Sequence, residues 1–535
     1  MEFDYVVVGA GSAGCAIANR LSANGEYTVA IIEAGGKDTN PWIHIPVGYF
    51  KTMDNPKTDW RYKTEKDAGI NGRSIPWPRG KVLGGSSSIN GLLYVRGQAE
   101  DYNNWRQLGN TGWAWDDVLP YFKRAENWQG EENTEMRGIG GPLSVSPTRL
   151  KRDVVDKWID AAETAGYKKN LDYNGEDQEG VGYFQLTIKG GRRCSSAVAY
   201  LKPAKGRTNL KVITNHQVEK VIIEEGKATG VSLFKGNKNS VIKARNEVIL
   251  SAGAIGSPQI LMLSGIGPGE ELAKIGIETK VDLKGVGKNL QDHLQARPVF
   301  KTDLSTINIE TNSLFKQGMI AMQYAISQTG PMTMAASLGT GFLKTDPSLE
   351  TPDIQFHIQP FSATNPADGP HKFSAFTASV LQMRPESAGH LQLKSSNFRD
   401  HPEIHPNYLA TTTDQETIVK GIQIARKIAQ CEPLKSHIIE EFAPGKDVAF
   451  DDYDGTLKWA RNTAVTIYHP TGTCKMGTEH DPMAVTDSRL KVYGVKGLRV
   501  ADASIMPIIV SGNTNAPCIM IGEKVSDMIL EDAKA

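Results

Sequence analysis

Asp4-Tyr5-Val6-Val7-Val8-Gly9-Ala10-Gly11-Ser12-Ala13-Gly14-Cys15-Ala16-Ile17-Ala18 is the stretch on which the reading of this chain turns. Asp4 to Val8 is a short β-branched run and reads as a buried parallel strand. It passes directly into a glycine turn, Gly9 to Gly14, and then into an apolar stripe of helical spacing (Cys15, Ala16, Ile17, Ala18, Leu21). A second strand, Tyr27 to Ile32, ends on Glu33. The order strand, glycine turn, helix, strand, acid is the one a bound dinucleotide requires. Gly9 permits the tight turn, Gly11 admits a pyrophosphate close to the backbone, and Gly14 lets helix and strand pack. The helix N-terminus would hold the phosphates and Glu33 the ribose hydroxyls. The competing reading is a glycine turn of purely structural use.

Outward from this unit, the 535-residue length calls for two domains or one elaborated domain. Sixty basic against sixty acidic side chains give no electrostatic case for nucleic acid or an acidic partner. The first strand begins within three residues of Met1, so a signal peptide is not expected, and no apolar run is long enough for a transmembrane span. The five cysteines are scattered without a CxxC pair, which indicates neither a metal site nor a disulfide framework. A cytoplasmic setting is the plain reading.

Further along, Arg79-Gly80-Lys81-Val82-Leu83-Gly84-Gly85-Ser86-Ser87-Ser88-Ile89-Asn90-Gly91 is too rich in glycine and serine for a regular core element. Its physical use is backbone N–H groups and small hydroxyls set close to a ligand. Helical patches occur at Val118 to Ala125 and Val154 to Ala165, and strand signal returns at 210–214, 218–224, 228–234 and 247–250. Ser251 to Pro258 repeats the strand, small-residue turn, helix logic, and Gly285 to His293 is another polar glycine turn. Composition shifts near Lys301. The Met-rich segment 314–338 implies adaptable packing, or alternatively a pliable apolar wall around a substrate channel. Alternating runs at 354–359, 373–381 and 390–393 then imply an antiparallel sheet, and a helix follows at 414–430. Near the end, His469 stands in the rigid small-residue loop Tyr468-His469-Pro470-Thr471-Gly472, the setting in which scaffolds hold catalytic groups. After the strand 498–501 and Asp502-Ala503-Ser504 comes Ser511-Gly512-Asn513-Thr514-Asn515-Ala516-Pro517. Asn515 is expected as the N-cap of the last helix.

Taken together, GAGSAG with Glu33, GKVLGGSSSIN (80–90), GAIGSPQILMLSGIG (253–267), GVGKNLQDH, YHPTGTCKMG, and RVADASIMP with SGNTNAPCIMIGE resemble the glucose-methanol-choline oxidoreductases across the whole chain. The likeness is greatest to bacterial alcohol, choline and polyethylene-glycol dehydrogenases. The resemblance implies an α/β fold: a Rossmann-like FAD domain in discontinuous segments (1–155, 190–300, 461–535) and a substrate domain on an antiparallel sheet (156–189, 301–460). It implies FAD contacts from Gly9, Gly11, Ser12, Ala13, Gly14, Glu33 and Ala34, and from Arg79, Gly80, Leu83, Gly84, Gly85, Ser86, Asn90, Gly91 and Leu92. Val218, Ala252, Gly253, Asp502, Ala503, Asn515 and Ala516 complete that set, while Leu338, Phe342 and Phe356 are implied as substrate wall.

His469 matches the family's active-site histidine, implied as the base that takes the alcohol proton while the carbinol hydride passes to flavin N5. Asn515 is placed at the partner position. Two departures refine this. Members with covalent FAD carry a histidine where Ile89 stands, so FAD is expected to be non-covalent. Choline-oxidising members carry a glutamate where Leu338 stands, so an uncharged primary alcohol is expected, with electrons passing to a quinone or another acceptor. Choline dehydrogenation and an oxygen-using oxidase are the alternatives, and a flavin-dependent lyase is a more distant one. A peripheral contact at the inner face of the cytoplasmic membrane is compatible with the likeness.

Overall fold

The computed structural model describes residues 1–131, 135–364 and 369–534. The strand Glu2–Val8 is buried from Tyr5 onward and pairs in parallel with Val29–Ile32 and with the C-terminal half of the long strand Lys238–Leu250. The helix Ser12–Leu21 crosses between the first two strands. Gly14 is required there: a Cβ on it would lie 2.0 Å from the Gly9 carbonyl oxygen, so only glycine allows helix and turn to meet. Leu210–Ile213 extends the sheet beyond Val29–Ile32, and Leu498–Val500 pairs with the other side of Lys238–Leu250. The N-terminal half of that long strand bends away into an antiparallel meander with Lys227–Lys235 and Gln217–Glu224. This seven-stranded sheet carries the largest apolar core. The final helix, Asn515–Asp532, packs on the first, and a Cβ on Gly522 would reach within 2.6 Å of the Ala13 carbonyl oxygen.

The second sheet has eight strands and is antiparallel throughout. At its centre, Gly339–Leu343, Ile354–Gln359 and Ala375–Gln382 pair side by side. One face is covered by the helix Asp153–Thr164, whose Val155 would meet a Cβ on Gly339 at 2.9 Å and whose Trp158, with Val181, packs close over Gly341. The helix Thr412–Ala429 also packs against the sheet, and its start is fixed where the Thr411 hydroxyl accepts the Asp414 N–H. Leu294–Ala296 and Val465–Thr466 also join this sheet, so the crossing points between the two sheets lie next to His293 and His469.

Three expectations are corrected. The run 390–393 does not join the main sheet: His390–Gln392 pairs with Glu403–His405 in a separate ribbon. Asn515 is the first residue of the last helix rather than its cap, and Thr514 occupies the cap position. The Met-rich helix, Leu314–Ser327, neither packs into a core nor forms an inner wall. Met319 and Met322 are exposed on it, as are Leu314, Phe315 and Ile326, and only Tyr324 is buried, its hydroxyl donating to the Gly191 carbonyl at 3.1 Å. The packing expectation holds only for the C-terminal end of segment 314–338, where Met334 and Leu338 are buried in a core, whereas the helix presents an apolar outer surface.

Candidate active site

The dinucleotide cradle forms where several of the quoted motifs converge. The helix Ser12–Leu21 begins without a side-chain cap, so its first N–H groups point into the space a pyrophosphate would fill. Behind them the Glu33 carboxylate accepts the Ala10 N–H at 3.1 Å and the Gly35 N–H at 2.8 Å. Burial raises its pKa to about 7. Gly84 donates to the Ala10 carbonyl, and a Cβ on Gly85 would lie 2.7 Å from the Gly11 Cα, so the loop 80–91 lies directly on the glycine turn. The Ser86 hydroxyl accepts the Gly80 N–H, and Asn90 is locked by Arg193 and by the Leu92 N–H. Leu83 is tied to Gly36. Asp502, beside Ala503, accepts from the Gly253 N–H and the Ser257 hydroxyl. Ala252 abuts Gly9, and Val218 lies on the strand packed beneath the helix Gly253–Leu263. The chemistry of these groups fits FAD: uncapped N–H donors suit its phosphates, a buried carboxylate suits its ribose hydroxyls, and glycine backbone leaves room for a close approach.

A second cluster lies at the junction of the two sheets. His469 is held by three backbone contacts: its N–H donates to Asp292 Oδ1 at 2.7 Å, the Tyr468 N–H donates to Thr466 Oγ1 at 2.6 Å, and Arg79 Nη2 donates to the Tyr468 carbonyl at 2.6 Å. Together these hold Tyr468 at φ 71°, a left-handed conformation costly for a non-glycine residue. The other Asp292 oxygen accepts the Tyr408 hydroxyl. The His469 ring meets polar atoms at both nitrogens. Nε2 lies 3.1 Å from Asn513 Nδ2, and Nδ1 lies 3.0 Å from His293 Nδ1. Burial, seconded by His293, His357 and Arg79, holds the His469 pKa well below the ordinary histidine value. The ring is therefore neutral at neutral pH, the form a base needs.

Asn515 is not in this cluster. Its side-chain oxygen accepts the Ser12 hydroxyl at 2.8 Å, which joins the N-termini of the first and last helices beside the dinucleotide cradle, with Ala516 buried behind it. The partner of His469 is Asn513, two residues earlier, whose Oδ1 accepts from Gln355 Nε2 at 3.3 Å. The substrate wall also needs revision. Phe356 packs against Trp158 (ring centroids 5.7 Å apart, planes tilted by 49°) on the helix-covered face of the sheet. Its strand neighbours Gln355 and His357 point the other way, toward Asn513 and Ser337, as strand alternation demands. Phe342 pairs with Gln355 across the strands and is buried with Tyr173, and Leu338 is fully buried. Among the residues not foreseen, His293 and Asp292 end the quoted GVGKNLQDH turn, whose Asp-His pair was the available signal. Asn513 lies two residues before Asn515 in the same motif.

Two family models described as GMC oxidoreductase match this chain, over residues 3–295 and 385–522. The oxygen-dependent choline dehydrogenase of Rhizobium rhizogenes is 42% identical over 532 residues, covering 99% of this chain and 96% of that protein. The alcohol dehydrogenase [acceptor] of Pseudomonas putida is 41% identical over 534 residues, with 99% and 96% covered. Among solved structures, pyridoxine 4-oxidase from Mesorbium loti superposes with a TM-score of 0.88 at 29% identity over 98% of both chains. A formate oxidase from Aspergillus oryzae, an FAD protein, gives 0.91 at 28% identity over 100% of this chain and 99% of its own.

Proposed function

The chain belongs to the GMC oxidoreductases, and from that premise we propose that it oxidises a primary, uncharged alcohol to the aldehyde, with His469 as the base. The observation that carries this reading is the buried His469–Asn513 pair, 3.1 Å apart at the junction of the two sheets. An alcohol does not ionise near neutral pH, so a positioned, neutral imidazole is needed to take its proton. FAD supplies the acceptor for the carbinol hydride. The protein's part is to hold the carbinol oxygen between His469 Nε2 and the Asn513 amide, to take the hydroxyl proton at the imidazole, and to keep water out by burial. The Asn513 amide can donate to the oxygen as negative charge develops on it. Ile89, buried in the loop 80–91, supports FAD held without a covalent bond.

Choline is the second reading, favoured by the name of the Rhizobium relative. The residue at position 338 opposes it: Leu338 stands where choline-oxidising members carry a glutamate and offers no carboxylate, while the Arg79 and Arg297 charges near Tyr468 are offset by Asp292 and Asp59. For the electrons, a quinone or other lipid-soluble acceptor is supported by the helix Leu314–Ser327. Leu314, Phe315 and Ile326 are 76–85% exposed there, and no acidic residue occurs between Glu310 and Asp346. No helix among the described residues is long and apolar enough to cross a membrane, so such a contact would be peripheral. His469→Ala tests the central role. It is expected to retain FAD and to lose roughly 10²-fold or more in the rate of flavin reduction. Unchanged reduction kinetics would remove His469 from the chemistry.

A further inference from the structure

We propose that His293 is a positioning residue that fixes the tautomer of His469, placing the base's single proton on Nδ1 and leaving Nε2 free to take the alcohol proton. The inference rests on His469 being the base, but its test does not depend on turnover. The polarity of the cluster is fixed at the Met383 carbonyl. His293 Nε2 lies 2.7 Å from the Met383 carbonyl oxygen. A carbonyl only accepts, so His293 must carry its proton on Nε2. His293 is fully buried, and burial brings its pKa down to about 4, so it holds one proton and not two. Its Nδ1 therefore has a lone pair and no hydrogen.

That lone pair faces His469 Nδ1 at 3.0 Å. Two ring nitrogens at this distance need one proton between them, because two lone pairs would repel and both would stay unsatisfied in a buried site. His293 cannot supply it, so His469 must. With its proton on Nδ1, neutral His469 has its lone pair on Nε2, the nitrogen that faces Asn513. The far end agrees. Gln355 Nε2 donates to Asn513 Oδ1, which turns the Asn513 amide nitrogen toward His469 Nε2 as a donor. Every link then points the same way: Gln355 to Asn513, Asn513 to His469, His469 to His293, and His293 to Met383.

The same polarity decides where the abstracted proton can go. When the alcohol O–H bond breaks and its proton joins His469 Nε2, the resulting imidazolium still donates through Nδ1 to His293, so the charged form keeps its partner. A proton passed on to His293 Nδ1 would meet only the Met383 carbonyl beyond, which cannot be protonated. The path ends there, and the proton must leave His469 from the substrate side.

The direct test is the ¹⁵N spectrum of the histidine-labelled holoenzyme at neutral pH, with the His469 signals assigned by their loss in His469→Gln. The expected result is a protonated, pyrrole-type Nδ1 and an unprotonated, pyridine-type Nε2. A pyrrole-type Nε2 in the wild type would overturn the proposal without any substitution at His293. Two variants then separate positioning from packing. His293→Gln keeps an amide oxygen able to accept from His469 Nδ1, whereas His293→Phe keeps a ring but no acceptor. The Nδ1-protonated signature and flavin reduction within about fivefold of wild type are expected in the Gln variant. In the Phe variant a mixed tautomer signal and at least tenfold slower reduction are expected. If both variants keep the wild-type spectrum and rate, or both lose them equally, His293 does not set the tautomer.

Discussion

Replacing Asn513 and Asn515 by alanine, one at a time, separates two positions that share a motif and differ in task. The Asn513 amide lies 3.1 Å from His469 Nε2, and in the proposed reaction the carbinol oxygen would gain negative charge beside it as its proton leaves. A hydrogen bond to a charged group contributes about 1.5–3 kcal/mol. At about 1.4 kcal/mol per factor of ten, Asn513→Ala should slow flavin reduction by about 10- to 150-fold. Asn515 makes a neutral bond, 2.8 Å from Ser12 Oγ, at the meeting point of two helix N-termini. Such a bond is worth about 1 kcal/mol, so Asn515→Ala should weaken FAD binding by about fivefold. It should leave the reduction rate of the FAD-saturated protein within about threefold. Anaerobic stopped-flow absorbance at saturating alcohol gives the first quantity, and titration of the apoprotein with FAD gives the second. Fast reduction in Asn513→Ala together with slow reduction in Asn515→Ala would refute the assignment of the pair.

Three further outcomes are expected. Burial and the neighbouring His293 lower the pKa of His357 to about 3, so the unfolded chain takes up this proton first as pH falls below about 6.5. Stability tied to His357 is therefore present above pH 6.5 and lost on acidification, and His357→Gln should soften the decline between pH 6.5 and 4.5 by about 2–3 kcal/mol in denaturant titrations; an unchanged pH profile would contradict the buried neutral histidine. Acid precipitation should leave the yellow flavin in the supernatant, because Ile89 offers no covalent link, and colour retained in the pellet would overturn that. The pair Phe315→Ser and Ile326→Ser should lower co-sedimentation with anionic liposomes while leaving reduction by a water-soluble alcohol unchanged; equal sedimentation of both proteins would remove the lipid contact.

What could be read from the sequence is what neighbours along the chain determine. The first strand, turn, helix and second strand are visible because a β-branched run, three glycines and a helical stripe follow one another within thirty residues. The strand 354–359 and the helix 412–429 are visible from their periods. Contacts made across the fold are not visible in this way. His293 meets His469 from 176 residues away, and its ring polarity is set by a backbone carbonyl at Met383 that carries no residue-type signal. Asn513 and Asn515 are indistinguishable by type, and only the start of the last helix sends one to Ser12 and the other to His469. The resemblance implies Phe356 as substrate wall, but strand alternation turns it to the Trp158 face. The Met-rich helix has the composition of a core element, and its exposure follows from the lack of any neighbour on that side except around Tyr324.

Alcohol oxidation by the bound flavin is read by adding an uncharged primary alcohol anaerobically, with choline in parallel, and following flavin absorbance and aldehyde together. The uncharged alcohol is expected to bleach the flavin and yield one aldehyde per flavin reduced, while choline leaves it oxidised. Flavin that stays oxidised with every primary alcohol, or that bleaches without aldehyde, would contradict alcohol oxidation by this protein.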